Sequence, residues 1–264
     1  MSQVRFRASS IASAFDCWMR WEAIHLRGMF QRGTPPAAIG TAVHAGAAVY
    51  DNSRMIGSSL SVDDAAGAVV DSIWNPDQEI DWAGEDKGNA EKTALSVYAL
   101  YCGEIAQQFR FQAVEMRLND LSIDMGDGLT IILTGTLDRV YEGIAGRGIN
   151  DIKTGKMAVN GNGAAKVAGH GAQLGAYEIL CEQTTGLPVT EPAKVTGLKT
   201  AGDPAAGIGE ISNAREILLG KDSEPGLLDM AGHVFRSGMF PPNPRSILCS
   251  AKYCPLHPCK YCEK

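Results

Sequence analysis

The spacing of apolar residues predicts a helical N-terminal half. We expect four helices there, at about residues 9–25, 34–50, 62–73 and 91–109. The second begins at Thr34-Pro35-Pro36, a cap followed by proline in the first turn. This second helix is rich in small residues, so another element can approach it closely.

The pattern changes to that of strands after residue 113. We expect four strands, at about residues 114–123, 129–141, 149–153 and 193–198. The first two are separated by Gly126-Asp127-Gly128, which indicates a hairpin turn. A helix predicted at 171–181 separates the last two strands, so these three elements are expected to form a βαβ unit. A final helix is expected near 227–236, before a proline-marked segment.

Composition places the chain among ordinary globular proteins. Of its 264 residues 45% are hydrophobic and 20% are charged, and no run approaches the ~18 apolar residues that a membrane span needs. The first ten residues lack the apolar stretch of a secretory signal, so we expect a cytoplasmic protein without a membrane partner. The net charge of −6 does not exclude a nucleic acid, because DNA is held by a local patch of charge.

Two carboxylates and a lysine form the most informative group. Asp151 and Lys153 are two residues apart on a predicted strand, so they share one face, ~7 Å apart. Asp138, near the end of the preceding predicted strand, is expected beside Asp151. Such a pair of carboxylates suits magnesium or manganese, and the lysine could orient or deprotonate a water. Alone, however, Asp-x-Lys is usually solvated surface charge.

The order of three motifs strengthens this interpretation. Gly135-x-x-Asp138, then Asp151-x-Lys153-Thr154, then Gln173-x-x-x-Tyr177 resembles the nuclease core of the RecB-like PD-(D/E)XK family. The resemblance implies that Asp138 and Asp151 bind the catalytic metal, with the backbone carbonyl of Ile152 as a further ligand. It also implies that Lys153 is the catalytic lysine. Gln173 and Tyr177, four residues apart on a helix, are expected to point together at the substrate backbone.

An upstream histidine extends the resemblance. Gly40-Thr-Ala-Val-His44 matches the Gly-x-x-x-His setting that the same family has on a helix before its core. A histidine on an alanine-rich helix is more often a packed or surface residue. Together with the other motifs, His44 is expected to be a metal ligand, since imidazole is acceptable to manganese and tolerated by magnesium. Glu115, on the first predicted strand, is a further acidic candidate.

The cysteines are unevenly placed. Four of the seven fall within the last sixteen residues, which in a reducing compartment indicates metal ligation more than disulfides. The chain resembles here a subgroup of RecB-like nucleases that includes the CRISPR-adaptation exonucleases and AddB-type subunits. In that subgroup, one N-terminal and three C-terminal cysteines hold a four-iron–four-sulfur cluster. The residues implied as ligands are Cys17, Cys249, Cys254, Cys259 and Cys262.

The cysteine spacing leaves two questions open. Four C-terminal candidates compete for three places, and their spacing departs from the usual two and then five intervening residues. Cys262 is either the spare thiol or the chelating partner of Cys259. Zinc is the alternative metal, bound by four of the cysteines or with His257. Cys102 and Cys181 lie within helical patterns and are expected to be buried thiols.

These observations predict an α/β protein with a PD-(D/E)XK restriction-endonuclease-like core sheet and flanking helices. Residues 1–112 are expected to form a helical N-terminal lobe, 113–238 the nuclease core, and 239–264 a C-terminal cysteine knuckle, the cluster-binding segment joined to Cys17. The expected activity is that of a metal-dependent DNA exonuclease. It would act on single-stranded or unwound ends in recombination or phage DNA processing, with a helicase or recombination protein as partner.

Two other functions are weighed against this one. The first is a non-catalytic DNA-binding subunit of a helicase or recombinase complex, against which the complete carboxylate–lysine set argues. The second is a zinc-stabilised interaction protein. The first helix also offers Arg20 and Arg27 with Trp18 and Trp21, which could line a channel for a threaded strand, although Trp18 suits a core position equally well.

Overall fold

The computed structural model describes residues 2–58, 60–82 and 84–262. The helices are α1 (Ile11–Asp16), α2 (Trp18–His25), α3 (Pro35–Met55), α4 (Val62–Trp74), α5 (Lys87–Leu100), α6 (Gly171–Thr185), α7 (Ala214–Leu219) and α8 (Leu227–Ser237). The strands are β1 (Ser2–Arg7), β2 (Phe111–Arg117), β3 (Leu121–Asp124), β4 (Leu129–Thr134), β5 (Thr136–Glu142), β6 (Arg147–Gly155), β7 (Ala193–Lys199), β8 (Ala205–Ile211), β9 (Gly220–Lys221) and β10 (Glu224–Pro225). Within the described ranges, no helix is both long and apolar enough to cross a membrane.

A five-stranded mixed sheet forms the centre of the molecule, in the order β2-β5-β6-β7-β8. Strands β6 and β7 are parallel and are joined through α6, whereas the other neighbours are antiparallel. The predicted βαβ unit and the α/β class with a sheet core and flanking helices are therefore confirmed. Strand β8 and helix α7 were not predicted, because four of the seven residues of β8 are alanine or glycine and α7 has only six residues.

A second sheet, in the order β1-β4-β3, holds the N-terminus. Strand β1 runs parallel to β4, so residues 2–7, for which no element was predicted, belong to this sheet. The two long strands predicted at 114–123 and 129–141 are each broken in two. The second break lies at Gly135, where the chain passes from one sheet to the other. Asp138 is therefore the third residue of β5 rather than the end of one long strand.

Two apolar cores lie on the two faces of this framework. One packs β1, the first two helices, α6 and α8 against the sheets, and it includes Phe6, Trp18 and Trp21. The other packs α3, α4 and α5 against β2 and β6. Helix α4 begins at a capping box made by Ser61 and Asp64. Helix α5 runs on into a π-helical turn at Tyr101–Ile105, an irregularity that is frequent near functional sites.

The helix predicted at 9–25 is interrupted at Cys17. Its φ of −154° and ψ of 101° are those of extended backbone, which separates α1 from α2. The C-terminal segment docks at this break. Asn243 donates its backbone N–H to the Cys17 thiol at 3.4 Å and its side-chain amide to the Asp16 carbonyl at 2.9 Å, and Ser246 donates to the Asp16 carboxylate at 2.6 Å. The two ends of the chain are thus joined by hydrogen bonds.

Candidate active site

Three carboxylates lie side by side on neighbouring strands of the central sheet. The β2–β5 pairing matches Val114 with Arg139 and Met116 with Leu137, so Glu115 lies opposite Asp138. The β5–β6 pairing matches Arg139 with Asn150, and the same register continued by one residue sets Asp138 opposite Asp151. Residues directly opposite in antiparallel strands share a face of the sheet. Glu115, Asp138 and Asp151 therefore form one line across β2, β5 and β6.

Lys153 lies next to the buried end of this line. Its Nζ is 2.7 Å from Asp151 Oδ2, as the shared strand face predicts, and Asp151 is only 1% exposed. Asp138 accepts a 2.7 Å hydrogen bond from the backbone N–H of Ile152. This bond fixes the peptide group that links Asp151 to Ile152. The positions of Asp138, Asp151 and Lys153 are therefore coupled through one stretch of backbone.

Helix α3 brings His44 to the opposite side of the group. His44 Nε2 is 3.0 Å from the carbonyl oxygen of Ile152, and Nδ1 is 3.6 Å from Asp138 Oδ2. The close approach of α3 depends on Gly40, because a Cβ at that position would lie 2.6 Å from Thr154 Oγ1. Ligand atoms of His44, Glu115 and Asp138 all lie within 4.8 Å of one another. Such a set of oxygen and imidazole donors fits a hard divalent cation.

Glu115 has a backbone conformation that is uncommon for a side-chain-bearing residue, with a φ of +48°. Its carboxylate accepts a 3.1 Å hydrogen bond from Arg139 Nη1, which also donates to the Asp138 carbonyl at 2.8 Å. Arg139 Nε in turn donates to Asp51 Oδ2 at 2.7 Å, and the Tyr101 hydroxyl donates to the same oxygen at 2.5 Å. Arg139 and Asp51 are both fully buried. They connect α3 to the strand that carries Asp138.

The electrostatics of the group favour the binding of a cation. Burial, followed by the nearby charge of Asp138, raises the pKa of Asp151 to about 6, although Lys153 and His44 act in the opposite direction. Burial and Asp138 also raise the pKa of Glu115. A divalent cation among these carboxylates would relieve both their mutual repulsion and their loss of hydration.

Gln173 and Tyr177 lie on one face of α6, as their spacing predicts, and both are buried. Gln173 Nε2 donates to Asp151 Oδ1 at 3.1 Å and lies 3.2 Å from the Tyr177 hydroxyl. The amide is therefore tied to the carboxylate instead of pointing only outward at a substrate. The Tyr177 ring packs over Gly135, where a Cβ would come within 2.8 Å of its Cε1. The glycine of the first motif thus makes room for the tyrosine of the third.

All seven residues predicted for the catalytic and metal site line a single cleft of about 620 Å³ between α3 and the central sheet. The same cleft is lined by Glu115, which the sequence suggested only as a further acidic group, and by Arg7, which it did not single out. Arg139 was missed too. The signal available in the sequence was an arginine within an otherwise largely apolar stretch that includes Leu137, Val140 and Tyr141. These three neighbours are all buried in the structure.

Comparison with known proteins gives the family. A sequence profile described as the PD-(D/E)XK nuclease superfamily matches residues 5–263, almost the whole chain. The chain belongs to the PD-(D/E)XK nuclease superfamily. The fold is also similar to the crystal structure of a protein from Eubacterium rectale that is provisionally named an exonuclease. The TM-score is 0.54 at 14% sequence identity, over 92% of this chain and 86% of that one. A search of curated proteins finds no significant match.

The nuclease gathers its remaining candidate ligands at the joined chain ends. Five thiols, none of them in a disulfide, come together there: Cys17, Cys249, Cys254, Cys259 and Cys262. Four of them line one cavity, and the Cys262 Sγ lies 3.4 Å from Cys249 Sγ and 3.2 Å from Cys259 Sγ. A converging set of thiols outside disulfides fits a thiolate-bound cluster or metal ion. The spacing left open whether Cys262 is spare or the chelating partner of Cys259, and the 3.2 Å between their sulfur atoms is compatible with the second arrangement.

The first helices of the nuclease do not form the channel that their sequence suggested. Trp18 and Trp21 are 7% and 1% exposed and belong to the core, where the Trp21 indole donates to Ser10 Oγ at 3.0 Å. Arg20 is 4% exposed, because it pairs with Asp16 at 3.0 Å beside the cysteine cavity. Arg27 pairs with Glu22 at 3.0 Å. Trp18, Trp21 and Arg20 thus serve the packing of the protein, whereas the Arg27 side chain stays at the surface.

Proposed function

We propose that this nuclease cleaves DNA by metal-assisted hydrolysis in the cleft between α3 and the central sheet, with magnesium or manganese as the cation. The observation that carries the proposal is the line of Glu115, Asp138 and Asp151 across three neighbouring strands, with Lys153 Nζ 2.7 Å from Asp151. A surface group of unrelated charges would have no reason to be in register on three strands with its inner member 1% exposed.

In this proposal the cation is held by His44, Asp138, Asp151 and the carbonyl oxygen of Ile152. When bound, it lowers the pKa of a water and offsets negative charge on the phosphate. Lys153 orients that water or exchanges a proton with it, and its amine is kept in place by Asp151. Site formation requires α3 to stay close to β6, which is the role of the contact between Gly40 and Thr154.

Gln173 holds Asp151 directly, Tyr177 contacts Asp151 only through Gln173, and both face the substrate. The amide of Gln173 donates to Asp151 Oδ1 and Lys153 lies at Oδ2, so the carboxylate is oriented while its remaining lone pairs can face the cation. Both side chains also line the cleft, where they can contact the sugar–phosphate backbone. We assign them a positioning role in catalysis.

The substrate that suits this site is an unwound or single-stranded DNA end. Asp151 lies deep in the cleft at 1% exposure, so the phosphate must enter beyond the rim. A flexible single strand can do this more easily than a duplex. The provisional exonuclease name of the Eubacterium rectale neighbour is compatible with action at an end. A helicase or recombination protein that unwinds the duplex would be the matching partner, in recombination or phage DNA processing.

The cysteine site is proposed to hold a four-iron–four-sulfur cluster that joins the chain ends. Cys17 contributes from the break between α1 and α2, and the other ligands come from the last sixteen residues. The support is the convergence of five cysteine side chains on one place, and zinc at the same residues is the competing metal. Either would act mainly on stability, since it closes a long loop.

Digestion of labelled DNA tests the proposal. The purified nuclease is incubated with linear single-stranded, linear double-stranded and circular single-stranded DNA, with and without manganese. Linear single strands should be degraded only with the metal, and circles should survive. Asp151→Asn should abolish cleavage, whereas Asp120→Asn, which changes a carboxylate on the exposed surface, should not.

Other outcomes would assign a different function. Destruction of circles at the same rate would indicate an endonuclease with an open cleft. Tight DNA binding without cleavage under any divalent metal would indicate a non-catalytic DNA-binding subunit. Failure to bind DNA, together with stoichiometric zinc, would favour an interaction protein.

A further inference from the structure

Arg7 is an exposed cation in the wall of the cleft. It is the last residue of β1, and it lines the same cleft as Asp151, Lys153 and Tyr177. Within residues 2–58, 60–82 and 84–262, no carboxylate lies within ion-pairing distance of its guanidinium. Its charge is felt at Tyr177, whose pKa it lowers against the opposite and larger effects of burial and Asp151.

The backbone that carries Arg7 is rigidly held. Arg7 is paired with Thr134 in the parallel β1–β4 ladder. Its carbonyl accepts a 2.8 Å hydrogen bond from Ser10 Oγ, and that hydroxyl is in turn fixed by the buried indole of Trp21. Only the side chain is free to move, so binding a ligand costs the rotamer entropy of Arg7 but no further ordering of the backbone.

The charges of the cleft show what that ligand can be. Of the charged side chains lining it, Glu115 is bonded to Arg139, and Lys153 is engaged by Asp151 at 2.7 Å. In the described part of the cleft, Arg7 is therefore the one permanent cation without an acidic partner. A guanidinium in this state matches a phosphate group, which it can bind through two parallel hydrogen bonds.

We propose that Arg7 binds a backbone phosphate of the substrate strand, adjacent to the phosphate that is cut. The inference rests on the proposed DNA nuclease function. Arg7 reaches the cleft from β1, where its charge acts on Tyr177, whereas His44 reaches it from α3. The two sides of the cleft thus have different tasks, with the α3 side contributing to the metal site and the β1 side fixing the strand.

Arg5 provides a matched control. It lies two residues earlier on the same strand, is also exposed, and is outside the lining of the cleft. Its guanidinium is already paired with Asp120 at 2.7 Å. A general effect of removing positive charge from β1 would appear equally in Arg5→Gln and Arg7→Gln, whereas a phosphate contact would appear in Arg7→Gln alone.

The test measures binding of fluorescent single-stranded oligonucleotides by anisotropy over a series of salt concentrations, with calcium replacing the catalytic metal. Arg7→Gln should weaken binding about tenfold, irrespective of base sequence, and should make the slope of log K against log salt shallower by about 0.7. Arg7→Lys should have an intermediate affinity and an unchanged slope, since it keeps the charge but loses the two-bond geometry. Arg5→Gln should change neither quantity.

Equal affinities and slopes for Arg7→Gln and Arg5→Gln would overturn the assignment of Arg7 while leaving the proposed nuclease function standing. Absence of DNA binding by the unaltered protein would instead remove the proposed function, and Arg7 with it. Thermal melting of each variant shows that it is folded. If Arg7→Gln does not fold, Arg7→Lys decides the question, because unaltered affinity in that variant would refute two-bond phosphate binding.

Discussion

Replacing Arg139 by methionine should destabilise the nuclease strongly although no apolar contact is lost. Arg139 and Asp51 are both fully buried, with Nε and Oδ2 2.7 Å apart. Methionine keeps much of the side chain's length but removes the charge. The Asp51 carboxylate would then retain only the Tyr101 hydroxyl at 2.5 Å and Arg54 Nη1 at 3.9 Å.

The expected loss follows from the isolation of that carboxylate. Removing one partner of a buried ion pair costs about 3–5 kcal/mol of unfolding free energy. The remaining Tyr101 bond puts the expectation at the lower end, about 3 kcal/mol. For a chain of this size, that loss corresponds to a fall in Tm of roughly 6–12 °C.

The loss should also depend on pH. Burial raises the pKa of Asp51 in the folded protein, and Arg139 opposes this increase. Without Arg139 the pKa rises further, so the folded variant binds a proton that the unfolded chain releases near its ordinary value of about 3.9. Stability of the variant therefore falls as the pH rises through this window, and the destabilisation should be greater at neutral than at acidic pH.

A double-mutant cycle measured by urea unfolding isolates the effect of the pair. Asp51→Leu combined with Arg139→Met should be less destabilised than Arg139→Met alone, because no charge remains buried. In the described structure, Arg139 Nη2 and Asp51 Oδ1 have no hydrogen-bond partner, so the native pair is incompletely satisfied. Arg5→Met, which breaks an exposed pair, should cost at most about 1 kcal/mol. If Arg139→Met cost no more than Arg5→Met, the reasoning would be refuted.

Four further results are expected. Asp138→Ala and Lys153→Ala should each abolish cleavage without altering the circular dichroism spectrum, and full activity of the aspartate variant would exclude this site. His44→Ala should raise the metal concentration needed for half-maximal activity, whereas an unchanged titration would make His44 a structural residue. Anaerobically purified protein should be brown, and Cys17→Ser should lose iron, sulfide and solubility. A colourless protein with stoichiometric zinc would show that the cysteines bind zinc and not an iron–sulfur cluster. Burial and two lysines lower the pKa of His170 to about 4, so the unfolded chain binds a proton below about 6.5 that the folded one does not. The free energy of unfolding should therefore decrease as the pH is lowered from about 6.5 to about 4. The urea midpoint of His170→Gln should decrease less over the same pH range than that of the unaltered protein.

The sequence alone determined those features that depend on local periodicity. The bounds of α4 and α8 follow from apolar spacing and end signals, and they agree with the structure to within one residue. The common face of Asp151 and Lys153 follows from the two-residue repeat of a strand, and that of Gln173 and Tyr177 from the helical repeat. Such regularities are set by the backbone of one element and need no knowledge of its neighbours.

Tertiary structure alone decided which elements meet. Asp51 and Arg139 are 88 positions apart, and nothing in the pattern around either indicates the other as its partner. Gly135, at the break between β4 and β5, leaves space for the ring of Tyr177 from helix α6. Strand β1 is defined by its pairing with β4. The sequence pattern suggested Arg20 as a DNA-binding cation. In the structure its side chain is buried beside Cys17, where it pairs with Asp16. Non-local contacts depend on how whole faces pack together, and a single sequence records only the pattern of each face, not its partner.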